Sequence, residues 1–364
     1  MNIPGAERLQ QVYVKARTAR FDFRMPGRVL LASAYLLCAV PASAEDSDAP
    51  TYQLGNGYRL GDSGITLGGY GSASVEKLRH EDARAALDNL SLFVWWEGEG
   101  RWKFFSELDY ENILAWPDKN TPGDNRYLAL ERLYVDYAWS DELSTRVGKF
   151  LTPIGRWNLI HATPLVWTTS RPLITERTFP TNTTGLMVQG TLPERGLGIE
   201  YSFYASNGTE IRANPAIDPF NEVVGMHLSL PVGATGQIGF SGASFEQKLN
   251  RDERKNLVGV DFFWSQHGYE LSGEGVYRMS DAGSRWDEKG GYLQAVAPLG
   301  GRLFAVGRVE LFRQAGSTET TRRWVGGLNY RLERGLVLKA EWISSDNNSI
   351  GAPEGFMSSV SILF

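Results

Sequence analysis

The chain has 364 residues, of which 42% are hydrophobic and 12% aromatic, with 40 glycines and a formal net charge of −5. Residues 1–44 contain six of its basic and two of its acidic residues, so the rest of the chain carries 31 Lys and Arg against 40 Asp and Glu. This acidic balance argues against nucleic acid as a partner. Cys38 is the single cysteine, which excludes a disulfide within the chain.

The first predicted element is an export signal. Residues 25–44 read MPGRVLLASAYLLCAVPASA, an arginine followed by an apolar run and an Ala-Ser-Ala ending. This layout is typical of a secretory signal peptide, and the run is too short to span a bilayer. We expect translation to start at Met25, with residues 1–24 a non-native or unstructured extension. Residues 45–62 are then a periplasmic amino-terminal segment.

From residue 63 onward, short segments alternate between apolar and polar residues with the period of a β-strand. In RWKFFSELDYE, residues 101–111, one face carries Trp102, Leu108 and Tyr110, and the other carries charged side chains. A soluble sandwich and a membrane barrel both show such alternation. Aromatic residues at the strand ends favour the barrel, since they suit the boundary between lipid and water.

Connection lengths support the same choice. Tight turns such as 98–100 and 140–142 alternate with longer polar stretches such as 206–222 and 248–256. Short turns on one rim and long loops on the other are typical of outer-membrane barrels with an even number of strands. The sequence therefore predicts an all-β, transmembrane, antiparallel up-and-down barrel over residues 63–364, in the bacterial outer membrane. Sixteen segments begin near residues 65, 88, 101, 128, 143, 184, 196, 222, 236, 256, 268, 291, 302, 322, 335 and 355.

The carboxyl terminus fits this prediction. In GFMSSVSILF, residues 355–364, Phe356, Val360, Ile362 and Phe364 share one face. A last strand that ends on phenylalanine resembles the signal read by the outer-membrane assembly machinery. The expected partners are that machinery through Phe364, the membrane lipids and lipopolysaccharide, and small solutes or ions.

One connection is far longer than the others. Residues 151–182 follow the fifth strand and include RWNLIHATPLVWTTSRPL, in which Pro164 and Pro172 prevent a strand ladder. Its tryptophans, leucines and isoleucines require burial, so a disordered loop is a poor interpretation. In sixteen-stranded porins the third long loop folds into the barrel, and this segment occupies that position. We expect it to be the constriction loop of a pore.

The segment VGKFLTPIG, residues 147–155, followed by a loop of this length, resembles the porin O/P family. The resemblance implies an anion or phosphate channel and a homotrimer. Phosphate-selective relatives have lysine clusters in the pore, whereas this loop has no lysine between Leu151 and Pro180. The family pattern is thus not matched at the positions that would select phosphate.

Candidate pore residues follow from the loop and from the inward strand faces. Charged side chains in a narrow pore with low-dielectric walls focus an electric field and select ions. The inward positions also include Arg308, Arg323 and Lys339, together with Glu274, Glu310 and Glu341. The residues predicted to form the constriction are Arg156, His161, Arg171 and Arg177 of the loop, with Arg132, Arg146, Glu107 and Asp109 of the wall.

These observations predict a porin, a passive channel for small hydrophilic solutes with no cofactor, no metal and no enzymatic activity. The net positive loop favours anions. A substrate-specific channel for phosphate or an organic acid is the alternative within transport. A barrel enzyme of phospholipase type is a further alternative, because His227-Leu228-Ser229 resembles part of such a site. The apolar neighbours of His227 and Ser229 place both side chains towards the lumen, which disfavours action on a lipid chain.

The export signal gives a first testable prediction. Cleavage after Ala44 should produce a mature protein that begins at Glu45, because a small-x-small ending directs the peptidase. Amino-terminal sequencing of protein extracted from the membrane checks this. A terminus that remains at Met1 or Met25 would contradict the signal-peptide interpretation.

Overall fold

The computed structural model describes residues 51–117, 126–192, 198–211, 218–333 and 335–364. The predicted extension 1–24, the signal peptide 25–44 and the first part of the segment 45–62 lie outside the described residues. Two short strands open the described chain. They are β1 (Thr51–Gln53) and β2 (Gly57–Arg59), which pair with each other, and β2 also pairs with the strand that follows.

Sixteen longer strands form a closed barrel. Each pairs antiparallel with the next along the chain, and the last returns to pair with the first, from Gly355 opposite Leu78 to Leu363 opposite Tyr70. Closure leaves no strand edge unpaired, which is what a bilayer requires of a sheet. The strands are β3 (Ile65–Leu78), β4 (Arg84–Glu97), β5 (Trp102–Trp116), β6 (Tyr127–Ala138), β7 (Ser144–Leu151), β8 (Asn182–Leu192), β9 (Ile199–Ser206), β10 (Phe220–Val232), β11 (Gly236–Gln247), β12 (Asn250–Gln266), β13 (Tyr269–Ser280), β14 (Glu288–Gly300), β15 (Leu303–Arg313), β16 (Thr321–Glu333), β17 (Leu336–Ser345) and β18 (Gly355–Leu363).

The distribution of apolar and polar side chains is the reverse of that in a soluble protein. Apolar side chains on the outside are exposed, such as Leu92 at 51% and Phe203 at 49%, whereas Glu107 and Lys339 inside the barrel are 1% and 4% exposed. The strand alternation seen in the sequence thus separates a lipid-facing surface from a polar interior. The predicted transmembrane barrel and its strand number are confirmed.

One predicted loop is wrong. Residues 248–256 were expected to be a long polar connection, but β11 runs to Gln247 and β12 starts at Asn250. The charges that made this segment look like a loop pair across the sheet. Arg254 reaches Glu246 at 3.0 Å and also contacts Glu222. Opposite charges on neighbouring strands stabilise the pairing of those strands, so a polar sequence can continue a strand.

Helical structure in the described residues is limited to short segments. The one α-helix among them is α1 (Leu173–Arg177), and 3₁₀ turns cover Gly61–Ser63, Trp157–Ile160 and Ser284–Trp286. Within the described ranges, no helix has both the length and the apolar character needed to cross a membrane.

The two faces of β5 give a stability prediction. Leu108→Arg places a charge on the lipid side and should destabilise the barrel by about 2–4 kcal/mol if it lies near the bilayer midplane. Asp109→Arg, one residue on, points inward among carboxylates and should be tolerated. Urea titration of the two variants folded into lipid vesicles compares them. Equal losses would mean that the face assignment is incorrect.

Candidate functional site

The segment between β7 and β8, residues 152–181, enters the barrel, and we call it the inner loop. Its two ends are tied together. Thr152 donates its backbone N–H to the Thr181 carbonyl at 2.8 Å and its hydroxyl to the Pro180 carbonyl at 2.8 Å. The Asn158 amide donates to the carbonyls of both Thr152 and Thr181. These bonds replace the strand ladder that the prolines prevent.

One side of the inner loop is apolar and packs on one side of the barrel interior. Its buried residues form a single cluster with inward side chains of β8 to β15, and burial of each large apolar group contributes about 1.5–3 kcal/mol. The apolar character of these loop residues predicted that they would be buried, and they are buried inside the barrel. From the loop the cluster includes Ile154, Trp157, Val166, Leu173, Ile174 and Phe179, and from the wall Phe245, Leu257, Tyr292 and Phe312.

Three wall glutamates hold the loop backbone. Glu274 on β13 accepts the N–H groups of Arg156 and Trp157 at 3.1 and 2.6 Å. Glu341 on β17 accepts those of Thr169 and Ser170 at 2.9 and 2.8 Å. Glu310 on β15 accepts the N–H of Leu173 at 2.8 Å. Each of these glutamates accepts backbone N–H groups that have no strand partner, so the three side chains act as anchors.

Three wall cations bind loop carbonyls in the same region. Arg308 donates to the Ser170 carbonyl at 3.0 Å, and Arg323 to the Arg171 carbonyl at 2.5 Å. Lys339 donates to the Thr168 carbonyl at 3.3 Å and also binds the carbonyl of Thr163. Strand alternation placed all six anchors inside the barrel. It gave no signal that they contact the loop, because such contacts depend on the path of the loop.

The predicted loop arginines take different positions. Arg156 lies over the ring of Phe263 at 3.9 Å and donates to the Gln237 side chain at 3.3 Å. Arg171 lies 5.1 Å from the ring centre of Trp157. Arg177 donates to the Ile350 carbonyl at 3.1 Å. Among the described residues, no carboxylate oxygen lies within 4.0 Å of these three guanidinium groups.

His161 lies near Arg171 and faces β6. Its Nδ1 donates to the Asn158 carbonyl at 2.7 Å, and its Nε2 is 3.6 Å from Glu131 of β6. Burial, and then the charge of Arg171, lower the pKa of His161 to about 3. The ring is therefore neutral near pH 7, so its contact with Glu131 is not an ion pair.

The predicted wall residues are mostly neutralised. Arg132 binds Glu107 and lies over Phe105 at 4.5 Å, and Arg146 binds both oxygens of Asp136 at 2.7 and 2.8 Å. These two arginines are ion-paired on the wall, unlike those of the loop.

Asp109 is the predicted wall residue that lacks such a pairing. It accepts from Asn89 at 3.3 Å, and its neighbour Glu111 accepts from the Tyr127 hydroxyl at 2.5 Å. The charge of Arg171 acts on Glu111. The structure thus brings Arg171 and His161 together with the acidic wall of β5 and β6. Arg156 is turned instead towards β11 and β12.

His227 is in contact with a serine and an aspartate. Its Nδ1 is 2.9 Å from Ser241 Oγ and 3.9 Å from Asp261 Oδ2. In a nucleophilic triad, serine and carboxylate lie at opposite nitrogens of the ring, so that a proton can pass between them. Here both approach the same nitrogen, and the group lies inside the barrel rather than at the lipid. This arrangement cannot relay a proton in the way that a phospholipase requires.

Sequence comparisons give a distant relative but no family. No family model matches the chain. An uncharacterized protein of Aquifex aeolicus (strain VF5) is 27% identical over 247 residues, or 60% of this chain and 54% of that protein. The chain thus spans about half the length of this curated relative.

Solved structures of three bacterial proteins are similar to the barrel. The anion-selective porin from Comamonas acidovorans is 15% identical, with coverage of 82% of this chain and 98% of that one and a TM-score of 0.54. OmpF of Salmonella typhi, in complex with daunomycin, is 9% identical, with coverage of 87% and 99% and a TM-score of 0.61. OmpT of Vibrio cholerae, in its trimer form, is 9% identical, with coverage of 82% and 99% and a TM-score of 0.57. At these identities the likeness shows the fold alone, which is that of bacterial outer-membrane porins.

The anchors give a prediction about loop order. Glu341→Ala leaves two backbone N–H groups without an acceptor, at a cost of about 1–3 kcal/mol each if they stay buried. The inner loop should loosen and become cleavable by trypsin after Arg156 and Arg177, whereas Pro172 protects the bond after Arg171. Mass spectrometry of limited digests in detergent measures this.

Glu253→Ala is the matched control. Glu253 is also a strand glutamate, but it binds Ser280 and Lys255, away from the inner loop. Its removal should leave the loop resistant. Equal cleavage of both variants would show that Glu341 does not anchor the loop.

Proposed function

We propose that the chain is an outer-membrane porin, a passive water-filled channel for small hydrophilic solutes. The observation that carries the proposal is the inner loop, held inside a closed barrel by carboxylates from three strands. A polar interior behind an apolar outer surface suits water and ions rather than lipid. The anchored loop would fix the width of the pore.

Localisation and assembly follow from the same proposal. Phe364 exchanges two backbone hydrogen bonds of 2.8 Å with Gly69, so the last residue helps to close the barrel. That position suits a carboxyl-terminal signal for the assembly machinery of the outer membrane. Lipids and lipopolysaccharide would cover the outer surface, and a homotrimer would match the trimer form of the similar OmpT.

Preference for anions is the finer proposal. Arg171 is the loop cation that faces the acidic wall without a carboxylate within 4.0 Å, as judged over the described residues. The wall arginines Arg132 and Arg146 are already neutralised. Arg171 is therefore the side chain expected to attract anions at the constriction, together with Arg156 at a second position. The name of the anion-selective porin from Comamonas acidovorans is in line with this preference.

A phosphate or organic-acid channel of the porin O/P type is the second candidate. It rests on the segment VGKFLTPIG, whose Lys149 is the lysine nearest the inner loop in the sequence. Lys149 is buried and pairs with Glu210 at 2.8 Å, so its charge is compensated before it could act on a solute. This contact favours the general channel over a phosphate-selective one.

A salt-gradient experiment tests the anion preference. Arg171→Gln should lower the chloride-to-potassium permeability ratio several-fold, because it removes the positive charge that faces the acidic wall. Arg177→Gln is the matched control, since it removes the same charge from the loop at the Ile350 carbonyl and not at the acidic wall of β5 and β6. Reversal potentials in planar bilayers measure both, and the difference should be largest at low salt, where screening is weak. A cation-selective wild type that Arg171→Gln leaves unchanged would overturn the preference.

A further inference from the structure

Two buried carboxyl groups lie side by side where the inner loop begins. Asp261 of β12 and Glu274 of β13 are direct partners in the antiparallel register and point to the same side of the sheet. Side chains at such positions have Cβ atoms about 4.5–5.5 Å apart. Each residue is 5% exposed.

The hydrogen bonds of Glu274 are distributed unevenly between its two oxygens. Oε1 accepts from Arg156 N at 3.1 Å, Trp157 N at 2.6 Å and the Tyr292 hydroxyl at 3.0 Å. Oε2 is buried and has no hydrogen-bond partner among the described residues, and the same holds for Oδ2 of Asp261. An unpaired buried carboxylate oxygen is costly, so two such atoms on neighbouring residues require an explanation.

The backbone packs closely on both unpaired oxygens. A Cβ atom at Gly155 would lie 2.3 Å from Glu274 Oε2, and one at Gly239 would lie 2.2 Å from Asp261 Oδ2. The loop at Gly155 and β11 at Gly239 thus cover these sides of the pair.

We propose that Asp261 and Glu274 share one proton, which Glu274 Oε2 carries and donates to Asp261 Oδ2. The proton makes Glu274 Oε2 a hydrogen-bond donor and gives Asp261 Oδ2 a group to accept from. The pair then carries a single negative charge. Two carboxylates in one buried site cannot both ionise without strong repulsion. A metal ion is not the better occupant, since the described residues contain no group of three or more His, Cys, Asp and Glu side chains able to hold one.

The surrounding charges are compatible with this arrangement. Across the described part of the chain, no side-chain nitrogen of lysine or arginine lies within 4.0 Å of either carboxyl group. Arg156 acts on Asp261 from a greater distance, while its guanidinium contacts Phe263 and Gln237. The titratable and charged groups that face the pair are His227 of β10, Tyr292 of β14 and Arg156 of the loop.

The shared proton makes the order of the inner loop depend on pH. Glu274 Oε1 holds the loop at Arg156 and Trp157, so any displacement of this side chain releases the base of the loop. When alkaline solution removes the proton, two like charges meet in a buried site and should push the carboxyl groups apart. Loop mobility should therefore rise at high pH. The shared proton and the order of the loop do not depend on the proposed channel function.

Infrared spectroscopy of the full chain in lipid vesicles tests the proton directly. At neutral pH the wild type should show the C=O stretch of a protonated carboxyl group that Glu274→Gln removes. In that variant the amide donates to Asp261 in place of the proton. A wild-type spectrum without such a band, or a band that persists in both Glu274→Gln and Asp261→Asn, would overturn the proposal.

Limited trypsin digestion at several pH values tests the consequence. Glu274→Gln keeps an acceptor for the loop and a donor for Asp261, so its loop should resist cleavage at every pH. Glu274→Ala should be cleaved at every pH. The ratio of wild-type to Glu274→Gln cleavage cancels the pH dependence of trypsin and should rise several-fold on the alkaline side. A constant ratio would contradict the pH-dependent loop, and a channel that fails to conduct would leave both readouts intact.

Discussion

Backbone hydrogen bonding is the constraint on which the rest of this structure depends. Inside an apolar belt, every N–H and C=O group needs a protein or water partner, and a closed barrel meets this need for the strands. The inner loop has no ladder, because its prolines and its 3₁₀ turn prevent one. Carboxylates and cations of the wall, such as Glu341 and Arg308, replace the ladder one group at a time.

This solution divides the charges inside the barrel into two groups. Side chains under the inner loop are committed to its backbone and to one another, as in the pairing of Glu310 with Arg323 at 2.8 Å. Those on the other side of the loop face the acidic wall of β5 and β6, where Arg171 has no carboxylate within 4.0 Å among the described residues. The sequence pattern does not distinguish these two groups of inward charges. The first group binds the loop backbone, whereas the second faces the part of the barrel interior that the loop leaves open.

The apolar cluster inside the barrel is the second consequence of the loop. Residues such as Phe245 and Leu257 point inward, against the polar interior expected of a water-filled barrel. They are buried in one cluster with Trp157, Leu173 and Ile174 of the loop. The loop therefore supplies hydrophobic stabilisation that a barrel of this kind otherwise gains only on its lipid side. A change in its order would alter both the stability of the barrel and the width of the space beside it.

The sequence alone determined the strand periods, the faces of β5 and β17, the barrel class and the position of the long loop, because these depend on local alternation and spacing. It misjudged residues 248–256, where cross-strand pairs such as Arg254 with Glu246 turn a polar stretch into strand. Only the tertiary structure decided which inward charges anchor the loop and which remain uncompensated. The pairing of Asp261 with Glu274 likewise depends on strand register and on the loop above it, neither of which a linear pattern specifies. The contacts between the inner loop and its wall anchors join residues more than a hundred positions apart, as between Trp157 and Glu274, and local sequence carries no record of them.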